Sequence, residues 1–201
     1  SRMRFSYQEY FERMTHDPYT FGKPLSALLG ALKMQVALGL PSIGGKDSMS
    51  GTFEHINVPP TLIAFGITTV KANKVISPEF KHAGNRLYLV KHTPLANYMP
   101  NTDQLQANWR AVTEGIQSGR IVSAYAIGFG GVAEAIAKMS FGNQLAANIT
   151  LSEDELFAYN YGSILVEGKE DEGSRIKDER LNSADSETSE TNVISPLSYV
   201  L

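Results

Sequence analysis

The sequence contains no cysteine, which excludes disulfides, thiolate metal ligands and a cysteine nucleophile. It leaves the redox compartment open. No apolar run reaches the roughly 20 residues that cross a bilayer as a helix. The opening Ser1-Arg2-Met3-Arg4 also lacks the apolar stretch of a secretory signal. An excess of one charge sign is missing too, with 18 Lys and Arg against 21 Asp and Glu and a net charge of −3. Without a basic stripe, a nucleic-acid or membrane-surface partner is not expected. His16, His55, His82 and His92 are scattered with no metal-ligand spacing, so each is read as exposed or simply hydrogen-bonded. The default expectation is a soluble, cytoplasmic protein.

What is present is ordinary for a globular chain. Hydrophobic residues make up 42% and charged residues 19% of 201 positions, enough for one large domain or two small ones. Residues 6–14 place Tyr7, Tyr10, Phe11 and Met14 at spacings of three and four, which predicts a short amphipathic helix. Asp17-Pro18 predicts a turn. Leu25, Leu28, Leu29, Leu32 and Val36 then define one apolar helix face, with Pro24 near its start and Gly39 at the C-cap position. A glycine-rich turn follows, and residues 61–70 are read as a well-buried strand. Residues 73–85, punctuated by Pro78 and Gly84, are read as a linker between a first domain, 1–72, and a second, 86–201.

The second domain alternates. Strands are predicted at 86–91, 121–126, 145–151 and 161–167. Helices are predicted at 102–118, with Trp109 in the core, at 132–139, and after the capping-box pattern Ser152-Glu153-Asp154-Glu155. Those acids are helix N-terminal residues that complement the dipole, with a metal cluster as the alternative. The class is therefore α/β, or α+β. Residues 169–192 are rich in charge and Ser/Thr/Asn, which predicts a flexible insertion. Residues 193–201 regain apolar character and are read as a strand cut short, as in a fragment.

The sharpest local feature is Gly44-Gly45-Lys46-Asp47-Ser48. Adjacent glycines let backbone N–H groups approach an oxyanion, a lysine adds charge, and Ser48 and Ser50 add hydroxyl donors. A P-loop is excluded, because Gly45 stands where that motif needs its lysine and Asp47 follows Lys46. Two readings remain: an anion-contacting loop, or a plain turn with a solvated lysine.

The longer string Gly39-Leu40-Pro41-Ser42-Ile43-Gly44-Gly45-Lys46-Asp47-Ser48-Met49-Ser50, followed by Val58-Pro59-Pro60 and a strand, resembles the second synthetase half of the formylglycinamide ribonucleotide amidotransferases. Phe21-Gly22-Lys23-Pro24 and its helix resemble the large, single-chain bacterial form. Gly130-Gly131-Val132-Ala133-Glu134-Ala135 and Tyr161-Gly162-Ser163-Ile164-Leu165-Val166 resemble later segments of the family. The likeness runs roughly from Tyr7 to Glu167.

The resemblance implies an aminoimidazole-ribonucleotide-synthase-like (PurM-like) fold, here the end of an A half followed by a B half. It implies an ATP-dependent ligase of purine biosynthesis that takes nitrogen from glutamine. ATP and magnesium would serve the full-length enzyme, and the remaining synthetase and glutaminase domains would be partners in the same chain. Nucleotide or substrate-phosphate contacts would fall on Gly44, Gly45, Lys46, Asp47, Ser48 and Ser50. Lys46 stands where related enzymes place a metal-ligating asparagine, and an ammonium cannot ligate a cation. Where many members carry an acidic DRSDGG-type turn, this chain has Ala126-Ile127-Gly128-Phe129-Gly130-Gly131, so no magnesium is expected there. No catalytic or metal-ligating residue is assigned, no ligand is expected on this chain alone, and the chain alone is expected to be inactive. The alternative is a non-catalytic structural module of the same enzyme. Aminoimidazole ribonucleotide synthase itself is disfavoured, since its relatives carry a GGE-type segment at Gly44-Gly45-Lys46.

Overall fold

The computed structural model describes residues 3–169 and 195–197, the last three through their backbone alone. The predicted flexible insertion therefore lies almost wholly outside the described residues. The chain divides into two compact units, Ser1–Lys71 and Ala72–Leu201.

The first unit is built on a three-stranded sheet with β1 (Arg4–Tyr10) between β2 (Ser42–Ser48) and β5 (Thr61–Ile67). β1 runs parallel to β2 and antiparallel to β5. The predicted helix at residues 6–14 is thus a strand. Its aromatic and polar residues fit a period of two as well as one of three to four, and two ladders of backbone hydrogen bonds decide the choice.

Helix α1 spans Pro18–Leu38. Asp17 is its N-cap, accepting from the Tyr19 N–H at 3.0 Å, and Pro18 occupies the first turn, where no N–H is needed. Asp17-Pro18 therefore opens the helix instead of forming a free-standing turn, and Pro24 lies inside it. Gly39 closes the helix at φ 64°, as expected of a left-handed cap. The leucine face is not a core. Leu25, Leu28, Leu29 and Leu32 are each more than half exposed, and Val36 more so. β5 is largely exposed as well, not well buried. A short hairpin, β3 (Thr52–Phe53) with β4 (Ile56–Asn57), completes this unit.

The second unit carries a four-stranded antiparallel sheet in the order β7-β8-β6-β9. Its strands are β6 (Arg86–Val90), β7 (Ile121–Ala126), β8 (Ile164–Gly168) and β9 (Ser195–Leu197). Side chains alternate between the faces of a strand, and here they divide between two apolar clusters. Leu87 and Leu165 pack with Val132, Ala135 and Met139 of helix α3 (Gly131–Phe141). Val90 and Val166 pack with Val112 of helix α2 (Thr102–Ser118). Because both faces are covered, β8 is apolar on both sides and reads as a continuous run.

Residues 145–151 form no strand. Leu145, Ala147, Ile149 and Leu151 do alternate onto the α3 cluster, but the segment pairs with no described strand. Trp109 is 38% exposed and so is not core. The capping box is present in full, with Ser152 and Glu155 satisfying each other's backbone N–H groups ahead of helix α4 (Glu153–Leu156).

Glu167 is a buried carboxylate in β8, 1% exposed. Its oxygens accept from the Lys81 N–H at 2.8 Å, the His82 N–H at 3.1 Å and Asn85 Nδ2 at 2.6 Å. Removing it would strand three donors, and Glu167→Ala is expected to destabilise the second unit by about 3 kcal/mol or more in urea unfolding. Glu167→Gln, which keeps one acceptor oxygen, is expected to lose less. Equal losses would contradict this account.

Glu79 gives a pH prediction. Its side chain accepts from Lys81 and Ser77, which lowers its pKa from 4.5 to about 2. The folded value lies below the unfolded one, so the stabilisation is complete above pH 4.5 and fades as pH falls toward about 2. The Tm difference between the wild type and Glu79→Gln should close over that window.

Candidate functional site

The residues from Gly44 to Ser48 are not a turn. They are the extended edge strand β2, paired on one side to β1 and, among the described residues, unpaired on the other. Two residues behind the helix cap, the chain enters a parallel ladder, with Ser6 opposite Gly44, Gln8 opposite Lys46 and Tyr10 opposite Ser48. Glycine, with its low strand propensity, gave a misleading signal.

Gly45 has a structural reason to be glycine. A Cβ there would lie 2.4 Å from the Tyr7 backbone oxygen, closer than non-bonded atoms tolerate. At Gly44, by contrast, a Cβ would meet nothing within 4 Å.

The strand period divides the predicted residues between two faces. Gly44, Lys46 and Ser48 share one face, and Gly45 and Asp47 the other. Lys46 is exposed, and its Nζ donates to the Asp47 carbonyl at 3.0 Å, leaving two of its three protons uncommitted. Asp47 stands opposite Glu9 on β1. Burial raises the Glu9 pKa, and the Asp47 charge raises it further. An anion is therefore favoured on the Lys46–Ser48 face and opposed on the Asp47–Glu9 face. Ser50 lies beyond the strand, its carbonyl accepting the Thr52 N–H at 2.9 Å. The six residues do not converge on one point.

An open cleft of this unit, about 590 Å³ and within the size range of small-molecule sites, lies elsewhere, lined by Phe11, Tyr19, Lys23, Ser26, Thr61 and Leu62 among others. Lys23 is tied there to Glu12, which also accepts from Asn57 Nδ2 at 2.6 Å.

At residues 128–131 the turn leads from β7 into α3. Gly131 adopts φ +67°, and a Cβ there would come within 2.4 Å of the Leu156 carbonyl oxygen, so two constraints demand glycine. The nearby acid, Glu134, is already engaged. It accepts from Lys138 and from the Gly130 N–H at 2.8 Å, and these two contacts, Lys138 first, lower its pKa. Among the described residues no three His, Asp or Glu side chains cluster to hold a metal ion.

The sequence reading passed over an exposed aromatic row beside this turn. Phe129 and Tyr159 rings lie 5.2 Å apart, and Tyr159 and Tyr161 6.3 Å apart. Aromatics at 157, 159 and 161 were visible, but only the fold brings Phe129 to them. His92 is buried and serves structure. Its Nε2 accepts the Asn101 N–H at 3.1 Å, so Nδ1 donates to the Tyr161 carbonyl at 2.8 Å. No described helix is long and apolar enough to cross a membrane.

No family model matches the sequence. The chain is similar to the phosphoribosylformylglycinamidine synthase subunit PurL of Pyrobaculum aerophilum, 26% identical over 183 residues, covering 79% of this chain and 26% of that protein. It is also similar to the subunit of the same name from Lactobacillus delbrueckii subsp. bulgaricus, 23% identical over 172 residues, covering 75% of this chain and 23% of that protein. The chain thus spans about a quarter of the length of the curated relatives it matches.

In three dimensions it is similar to PurLQS from Thermotoga maritima, with a TM-score of 0.63 and 16% identity over 88% of this chain and 31% of that one. The T. maritima PurL complexed with ATP aligns with a TM-score of 0.60 and 14% identity over 89% of this chain and 31% of that one. A hydrogenase maturation protein, HypE, aligns at 0.62 and 14% identity over 88% of this chain and 62% of its own. The fold is therefore the mixed helix-and-sheet, PurM-like one, and the sequence likeness is to phosphoribosylformylglycinamidine synthase.

Gly45→Ala is expected to weaken the β1–β2 ladder and lower the stability of the first unit by about 1–3 kcal/mol, as other forced overpacking does. Gly44→Ala, measured beside it by chemical denaturation, is expected to be nearly neutral. A reversal of that order would contradict the close approach.

Proposed function

We propose that this chain is an internal piece of the second synthetase half of a large, single-chain phosphoribosylformylglycinamidine synthase. Residues 1–72 would be the end of an A half, 73–85 a linker, and 86–201 a B half. The whole enzyme would convert formylglycinamide ribonucleotide to formylglycinamidine ribonucleotide in the cytoplasm, using ATP and glutamine. The sequence likeness to curated subunits of that name supports this reading. So do structural relatives complexed with ATP and with FGAR.

Within the chain, the open edge of β2 supports a contact with phosphate. Lys46, which is exposed, and Ser48, which is half-buried, present an ammonium and a hydroxyl from one face of the strand, suited to nucleotide or substrate phosphate. Gly44 keeps that face low, Gly45 permits the ladder, and Ser50 extends the row of hydroxyls. Asp47, beside Glu9, is better suited to orienting the strand than to meeting an anion. The described residues do not fit magnesium, for want of a ligand cluster, so any metal would be held by other parts of the enzyme. Glutaminase chemistry would likewise come from another domain, as no cysteine is present.

A second reading is favoured by two observations. Lys46 already donates to its neighbour's carbonyl, and the unit's cleft is lined by other residues. On that reading β2 is purely structural.

Steady-state kinetics of the full-length enzyme separate the two. Lys46→Ala and Ser48→Ala are each expected to lower kcat/KM for ATP or for the ribonucleotide by about tenfold or more, roughly 1.4 kcal/mol, while the fold is retained. Unchanged kinetics in both variants would establish the structural reading instead.

A further inference from the structure

The second unit holds an open cleft of about 570 Å³ that no part of the reading above uses. That volume falls within the range of small-molecule sites. Its apolar lining comes from Ile76, Ile116, Ile121 and Val122. Its polar lining comes from Lys74, Lys81, Lys169, Asn73 and Asn143, with His82 beside them. No carboxylate is among the described lining residues.

The three lysines are not equivalent. Lys81 donates to the Ser77 carbonyl, the Ser77 hydroxyl and Glu79, which commits all three of its protons and neutralises its charge. Lys74 Nζ donates to the Gln117 carbonyl at 2.7 Å, leaving two donors and, among the described residues, no carboxylate partner. The Lys169 side chain makes no hydrogen bond or ion pair among the described residues, while its backbone N–H is fixed on the Arg120 carbonyl at 2.7 Å. Among the described residues, then, neither Lys74 nor Lys169 is paired with a carboxylate, and both line the cleft together with Ile76, Ile116, Ile121 and Val122. Asn73 and Asn143 add carboxamides, although Asn143 Nδ2 already donates to the Phe80 carbonyl at 2.7 Å.

We propose that this cleft is an anion-binding site for a small organic phosphate, with Lys74 and Lys169 on the phosphate and the Ile76, Ile116, Ile121 and Val122 side chains against its apolar body. A bare cluster of surface lysines would favour an anion of any shape. The apolar floor is what selects an organic one, since it rewards burial of a hydrocarbon or ring and offers nothing to an inorganic ion. The site is independent of β2 and does not rest on the assignment of residues 44–50.

Amide chemical shifts of the 201-residue chain, titrated with phenyl phosphate at constant ionic strength, test the proposal. Shifts are expected to cluster at Lys74, Gly119, Val122, Asn143 and Lys169. Inorganic phosphate should move the same amides at higher concentration, and phenol should bind more weakly still. The double variant Lys74→Ala with Lys169→Ala is expected to weaken phenyl phosphate about tenfold or more, for two lost charge-assisted contacts. The double Lys→Arg variant should retain binding, and because all four substitutions are at exposed positions the amide spectrum itself reports retention of the fold. Unchanged affinity in the double alanine variant would overturn the proposal, as would the absence of saturable shifts into the millimolar range. Shifts confined to residues 44–50 and abolished by Lys46→Ala would also overturn it, while supporting the phosphate contact on β2.

Discussion

The carboxylate of Glu167 organises the second unit. It sits in β8 with almost no access to solvent, and its hydrogen bonds hold the segment from Lys81 to Asn85 against the sheet. That segment enters β6, the strand between β8 and β9. A buried ionised group is costly unless its acceptors are filled, and here backbone and carboxamide donors fill them. The packing around it follows from the sheet. Leu165 and Val166, adjacent in sequence, feed clusters on opposite faces, so one short strand anchors both helical layers.

The first unit is organised differently. Both clusters of buried apolar residues belong to the second unit. In the first, burial is limited to isolated positions such as Phe11, Ala31 and Leu40, while the leucine row of α1 and much of β5 face solvent. Its order comes chiefly from the backbone ladders of β1 and from the caps on α1. The phosphate contact proposed for β2 therefore rests on a strand that is regular but thinly covered.

The helices were the most legible part of the sequence. Residues 102–118 and the cap at Gly39 are marked by local chemistry, and local chemistry is enough to set a helix boundary. Strands were harder, because their partners lie far away in sequence. Residues 6–14 carried a three-to-four spacing that fitted a helix until two ladders claimed them. Residues 145–151 had strand-like alternation and a partly buried face, yet they join no described sheet. The site was legible as composition and opaque as geometry. Lys46 and Asp47 are neighbours in the chain, and the pleat sends them to opposite faces. Lys74 and Lys169 of the second unit are 95 positions apart along the chain and line one cleft only through the fold.

The approach of the Tyr7 carbonyl to Gly45 bears on how this segment should be compared with its relatives. Any homologue that keeps the β1–β2 seam inherits the same steric demand, whether or not it handles nucleotides. Recurrence of glycine at this position would therefore report ancestry of the sheet and nothing about chemistry. The informative columns are those without such an architectural veto, and in this stretch they are occupied by the ammonium and the hydroxyl two residues further on.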